Sequence, residues 1–168
     1  MDARSAAEST ATQDRTTVKR TSERELVVTR TFNGPPRLVF EAWTTPELMK
    51  RWWAPKSIGV PLLSCEMDVR VGGTYRLEFG HDASESMAFV GKYLDVLPPS
   101  RLVWTNEEGE DGAVTTVTFE EMDGKTLLTV HELYPSREAL DAGHGAEEGM
   151  PEQFEQLDAL LVTLGASV

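Results

Sequence analysis

The sequence predicts an α+β domain in which an antiparallel meander is covered by one long C-terminal helix. Three observations carry that prediction. Six β-type runs follow one another between Leu62 and Leu133, separated by short polar turns. Met150, Phe154, Leu157, Leu161 and Leu164 then step by four and three, which places them on one helical face. Two short proline-led segments, "PPRLVFEAWT" and "PELMKRWWAPK", stand between the first strand and the meander.

Taken in order, residues 1–24 are rich in Ser, Thr, Ala and charge, with almost no large apolar side chains. Such a stretch buries too little surface to offset its ordering entropy, so it is expected to be a disordered tail, with the domain running from 25 to 168. "ELVVTRTFN" is β-branched and ends in Asn-Gly, the pattern of a strand and its turn. In "PPRLVFEAWT" proline sits where a helix start tolerates it, and Leu38, Val39 and Trp43 recur at helical spacing. Thr45 before Pro46 is placed to cap a second short helix carrying Leu48, Met49, Trp52 and Trp53. Adjacent residues on a helix diverge by about 100°, so Trp52 and Trp53 cannot easily share one apolar face. One is expected to anchor in the core. The other would stand at a pocket entrance near Lys50, Arg51 and Lys56.

In the meander, "TYRLEF" alternates Tyr75, Leu77 and Phe79 with Arg76 and Glu78, as a strand with one wet face does. "MAFVGKYLDVL", "RLVWTNEE", "AVTTVTFEE" and "KTLLTVHELY" follow, and the Asp123-Gly124 turn between the last two is a strong hairpin signal. On the C-terminal helix, Glu147, Glu148, Glu152 and Glu155 crowd the first turns, where the dipole favours negative charge. Gln156 falls off the apolar face and is expected to tolerate substitution.

Composition limits the possible functions. With 168 residues and 40% hydrophobic content, the chain has enough for one domain with a sizeable core. No apolar run nears the roughly 20 residues that span a bilayer, and the start lacks the apolar core of a secretory signal. A single cysteine, Cys65, excludes an internal disulfide framework and suits a reducing, cytoplasmic address. The net charge is −12, and residues 107–158 hold 15 acids against Lys125 and Arg137. An acidic surface repels phosphate backbones, which argues against nucleic-acid binding. The acidic stretch is expected to be a solvated face, with docking of a basic protein partner as its alternative use.

Strand, two short helices, meander and long terminal helix, in that order, resemble the helix-grip fold of the START-like (SRPBCC) superfamily. The closest resemblance is to the AHSA-type branch, named after the C-terminal domain of the heat-shock-protein-90 ATPase activator. "FNGPPRLVFEAWTTPELMKRWWAPK", "EMDVRVGGTYRLEF", "GKYLDVLPPSRLVWT", "VTFEEMDGKTLLTVHE" and "GHGAEEGMPEQFEQLDALLVTL" carry it. The resemblance implies a curved sheet of about six to seven strands wrapped around the last helix, with a largely apolar cavity between them. It also implies a small hydrophobic ligand. Fold alone does not choose a chemistry, because carriers, receptors and cyclases share this architecture.

Residue by residue, catalytic chemistry is sparse. His81, His131 and His144 lack a partner at metal-binding spacing, Cys65 has no second cysteine, and Gly72-Gly73 is better explained as a turn than as a phosphate cradle. No metal and no cofactor is expected. In "KTLLTVHE", Thr126, Leu128, Val130 and Glu132 share one face. If Leu128 and Val130 face the cavity, Glu132 lies at its rim, where apolar surroundings would suit a carboxylate for acid–base work. Leu127 and Leu133 would support the opposite facing. The expected ligand contacts are Trp52, Tyr75, Leu77, Phe79, Phe89, Trp104, Val117, Phe119, Met150, Phe154 and Leu157. Binding without catalysis is the leading expectation. A cyclase or dehydratase would need Glu132, Tyr75 or His131 to converge in the cavity, and a chaperone-activating cofactor is the third possibility.

Overall fold

The computed structural model of the protein describes residues 16–106, 113–142 and 145–164. Their architecture is α+β, with one open, eight-stranded antiparallel sheet and four α-helices. The strands are β1 (Thr17–Ser22), β2 (Glu25–Phe32), β3 (Leu62–Met67), β4 (Thr74–Gly80), β5 (Ser86–Leu97), β6 (Arg101–Thr105), β7 (Val114–Met122) and β8 (Lys125–Leu133). They lie in the order β1-β2-β8-β7-β6-β5-β4-β3, so the meander is continuous and β2 joins it beside the last strand. The helices are α1 (Pro36–Thr44), α2 (Pro46–Met49), α3 (Arg137–Ala142) and α4 (Gly145–Thr163).

The six strands after the two short helices are those the alternation predicts. The β7–β8 hairpin turns at Asp123 and Gly124, both at positive φ (54° and 82°), the backbone that an Asp-Gly pair accommodates. Register then aligns the inner face. Val28, Val130 and Val117 stand abreast across β2, β8 and β7, as do Leu26, Glu132 and Thr115. All six are buried.

The strand count corrects the expectation of six to seven. The eighth strand, β1, falls inside the stretch assigned to the tail; residues 1–15 of that stretch lie outside the described residues. β1 pairs with the edge of β2 from Thr17↔Thr29 to Ser22↔Glu25. Its only aliphatic residue of any size is Val18, so apolar burial does not announce it. Edge backbone groups of β2 find partners instead. Arg20 adds an ion pair to Asp141 on α3, at 2.6 Å.

A second correction concerns α2. Thr45 occupies the N-cap position but makes no side-chain capping bond, and the helix ends at Met49 after one turn. Trp52 and Trp53 therefore leave from the following turn, where consecutive side chains diverge more freely than on a helix. The short α3 was not foreseen.

α4 buries Phe154, Leu157, Leu160 and Leu161 almost completely, with Met150 nearly so. Phe154 meets Phe32 of β2 edge-on at 5.6 Å between ring centres. One inner-face residue of β2 is charged. Arg30 is 7% exposed, stands in line with Val28 and Phe32, and is paired to Asp158 of α4. Removing either partner would strand a charge at the helix–sheet seam.

Candidate functional site

The site begins with the loop that follows α2. Trp52 turns into the core, is fully buried, and donates from its indole Nε1 to the carbonyl of Ala42 at 3.0 Å. Trp53 turns the other way, onto a cavity wall. Trp43 of α1 lies between the two sides: its ring centre is 4.8 Å from Trp52, 5.8 Å from Trp53 and 5.9 Å from Trp104. The loop is clasped to α4 through its backbone. Gln156 Nε2 donates to the carbonyls of Trp52 (2.9 Å) and Ala54 (3.0 Å), and its Oε1 accepts from the Lys56 N–H (2.9 Å). Gln153 donates to the Trp53 carbonyl, and Glu152 accepts from the Ser57 N–H at 2.8 Å. Gln156 is thus not the tolerant position that its helical phase suggests, because it holds three backbone groups of a loop that has no ladder of its own.

Between the sheet's inner face, α4 and this loop lies a cavity of about 1140 Å³. That is at or above the upper end of the roughly 300–1,000 Å³ usual for small-molecule sites. Tyr75, Leu77 and Phe79 of β4, Phe89 and Tyr93 of β5, and Trp104 of β6 line one side. Met150 and Phe154 of α4, with Trp43 and Trp53, line the other. Gly91 makes the Tyr75 position possible. It faces Tyr75 across the β4–β5 register, and a Cβ there would stand 2.5 Å from the Tyr75 ring.

A strip of polar groups crosses this apolar lining where β6, β7 and β8 end together. Tyr75 donates to the carbonyl of Thr105 at 2.8 Å and lies 3.3 Å from Asn106 Oδ1. Asn106 Nδ2 donates to Thr115 Oγ1 at 2.8 Å, and Thr115 in turn donates to Glu132 Oε2 at 3.3 Å. Tyr134 donates to Glu132 Oε1 at 2.7 Å. Glu132 is 9% exposed and belongs to the cavity wall. Burial also pushes the Tyr93 phenol up, so it lines the wall as a neutral group.

Of the residues expected to contact a ligand, Tyr75, Leu77, Phe79, Phe89, Trp104, Met150 and Phe154 come together on the wall. Trp52, Val117, Phe119 and Leu157 do not; all four are core. Val117 and Phe119 share the inner face with Thr115, but lie further along β7, under α1. Phe119 packs there on Phe40 at 5.2 Å. Glu132 faces inward with Leu128 and Val130, whereas His131 faces outward and pairs with Glu25 at 2.7 Å. His131 and Tyr75 therefore do not converge. The cations of the tryptophan loop, Lys50, Arg51 and Lys56, are exposed and none lines the cavity. His144 and the acidic loop at 107–112 lie outside the described residues.

Trp43, Asn106, Thr115 and Tyr134 are wall residues that reading the sequence missed. Trp43 has the helical spacing of a core residue, and Asn106 and Tyr134 sit just past strand ends, where alternation gives no facing. Cys65 is half-buried, and its surroundings push the thiol up to about 11, so it remains a protonated, weak nucleophile. Among the described residues no group of three or more His, Cys, Asp or Glu is placed to hold a metal ion, and no helix is long and apolar enough to cross a membrane.

Residues 33–162 match the family described as "Activator of Hsp90 ATPase homolog 1-like protein". No curated protein matches the chain. Among solved structures, a Rhodobacter sphaeroides protein superposes with a TM-score of 0.80 at 24% identity, covering 89% of this chain and 99% of its own. A Mycobacterium smegmatis protein gives 0.76 at 25% identity (87% and 96%), and one from Nitrosomonas europaea 0.74 at 26% (86% and 98%).

Proposed function

From a chain that belongs to the Activator of Hsp90 ATPase homolog 1-like family, with a lined cavity between its sheet and last helix, we propose a protein that binds a small, mostly apolar molecule there. The cavity carries this reading. It is large, its wall is chiefly aromatic and aliphatic, and one hydrogen-bonded strip of polar groups crosses it at Asn106, Thr115 and Glu132. The residues work as a binding site without a reaction. Tyr75 and Tyr134 are engaged with wall acceptors, His131 is directed away, and Cys65 is protonated. A cytoplasmic address accords with the free thiol. The acidic stretch at 107–158 remains the candidate surface for a basic protein partner, including a chaperone.

One observation favours a second reading. Glu132 is a buried carboxylate on the cavity wall, the group that a cyclase or dehydratase would use on a bound ligand.

Nile red, a neutral apolar dye, tests the binding reading. Its emission is expected to rise and shift to the blue on mixing with the protein. Binding to the native state alone should raise the melting temperature, by about 2.7 kcal/mol of stability at a hundredfold excess over Kd. Trp104→Phe, which keeps most of the wall's volume, should weaken binding while the protein stays folded. A dye that changes neither its own emission nor the melting temperature would remove the binding reading.

A further inference from the structure

Among the described residues, two buried side-chain nitrogens have no hydrogen-bond partner, Arg30 Nε and Trp43 Nε1. They differ in consequence. The Arg30 guanidinium still bonds through its other nitrogens, to Thr16 Oγ1 at 3.2 Å and to Asp158. An indole has a single N–H, so Trp43 is left without a bond. Native proteins rarely keep such a donor closed off from both water and protein acceptors, because the lost hydration is not repaid. Trp52 shows the usual arrangement, with its indole N–H on the Ala42 carbonyl at 3.0 Å.

Trp43 is 2% exposed and belongs to the cavity wall. The rings packed on it are Trp52, Trp53, Trp104, Phe119 and Phe154, with centres 4.8–6.1 Å away. None of these side chains carries an acceptor atom, and an N–H set against an aromatic face is a weak substitute. The cavity borders the same ring, so a bound molecule can bring what these neighbours lack. Nε1 itself is shut in, and an incoming atom reaches it as one of the rings yields. Trp53, half-buried and carried by a loop, has the room to do so.

The exchange favours an acceptor. A carbonyl entering the cavity gives up its water, but the Trp43 N–H has none to lose, and the new bond removes a standing penalty. The polar strip serves an incoming acceptor less well. The Tyr75 and Tyr134 hydroxyls and the Asn106 amide already donate to wall acceptors.

We propose that the ligand carries a carbonyl-type oxygen that accepts a hydrogen bond from Trp43 Nε1, so that Trp43 orients it in the cavity. This rests on the ligand-binding reading above and assigns its ligand a polar feature.

Benzophenone and diphenylmethane, which share their phenyl rings and differ by the carbonyl, test it. In protein labelled with ¹⁵N at tryptophan, benzophenone should carry the Trp43 indole proton downfield of its position with diphenylmethane, as a new N–H···O bond does. Displacement of Nile red gives both affinities, and their ratio cancels any loss of ring volume that both molecules feel. In Trp43→Phe, which lacks the donor, that ratio should move against benzophenone by about fivefold. A Trp43 resonance that answers both molecules alike would overturn the proposal, even if Trp43→Phe fails to fold. So would an unchanged ratio in a folded Trp43→Phe protein. Failure of Nile red and of both probes to bind is the separate outcome that removes the ligand-binding reading and, with it, this assignment.

Discussion

Leu157→Asp is expected to abolish cooperative folding or to lower the melting temperature by more than about 10 °C. Leu157 is fully buried between α4 and the sheet, in line with Phe154 and Leu161. Losing the leucine's packing costs about 2–5 kcal/mol, and an unpaired carboxylate in that place costs several more. Together these approach the whole stability of a domain, about 5–15 kcal/mol. Met150→Asp, on the same helical face, should be milder, because Met150 lines the cavity and water there can hydrate the new charge. Thermal unfolding followed by far-UV circular dichroism distinguishes the two. A Leu157→Asp protein that melts within about two degrees of the parent would mean that α4 does not complete the core.

The paired tryptophans should separate in the same manner. Trp52→Ala removes a fully buried ring packed on Trp43 and Phe154, and leaves the Ala42 carbonyl without its donor. A loss of about 4–5 kcal/mol is expected from the cavity and the broken bond together. Trp53 is only half-buried and faces a space that already exists. Trp53→Ala should cost about 1–2 kcal/mol and act mainly on ligand affinity, since it leaves no closed void. Urea titrations give the stabilities and Nile red titrations the affinities. If Trp53→Ala proved the more destabilising, the division of the pair between core and wall would be wrong.

Most of the fold was legible because its signals are local. Alternation in "TYRLEF" and "KTLLTVHE", the Asp123-Gly124 turn, and the four–three stepping from Met150 to Leu161 each depend on a few neighbouring residues. What escaped depends on distant partners. β1 exists because the edge of β2 offers hydrogen bonds, and nothing in "TVKRTS" states that an edge will be there. Gln156 matters because a loop about a hundred residues earlier presents two carbonyls and an N–H to it. Half the candidate site followed from strand phase, as Tyr75, Leu77, Phe79 and Trp104 show. Phase says which face a residue takes, however, and not how far along that face a cavity reaches. Val117 and Phe119 therefore fall in the core while Thr115, two residues away on the same strand, reaches the wall.

The four indole N–H signals offer the most direct measurement of a ligand between sheet and helix. In protein labelled with ¹⁵N at tryptophan, saturating Nile red should shift the resonances of Trp43, Trp53 and Trp104, which line the cavity. The Trp52 resonance should move least, because its N–H is fixed on the Ala42 carbonyl inside the core. Signals that all stay in place while the dye is bound, or a Trp52 shift as large as the others, would contradict a ligand in this cavity.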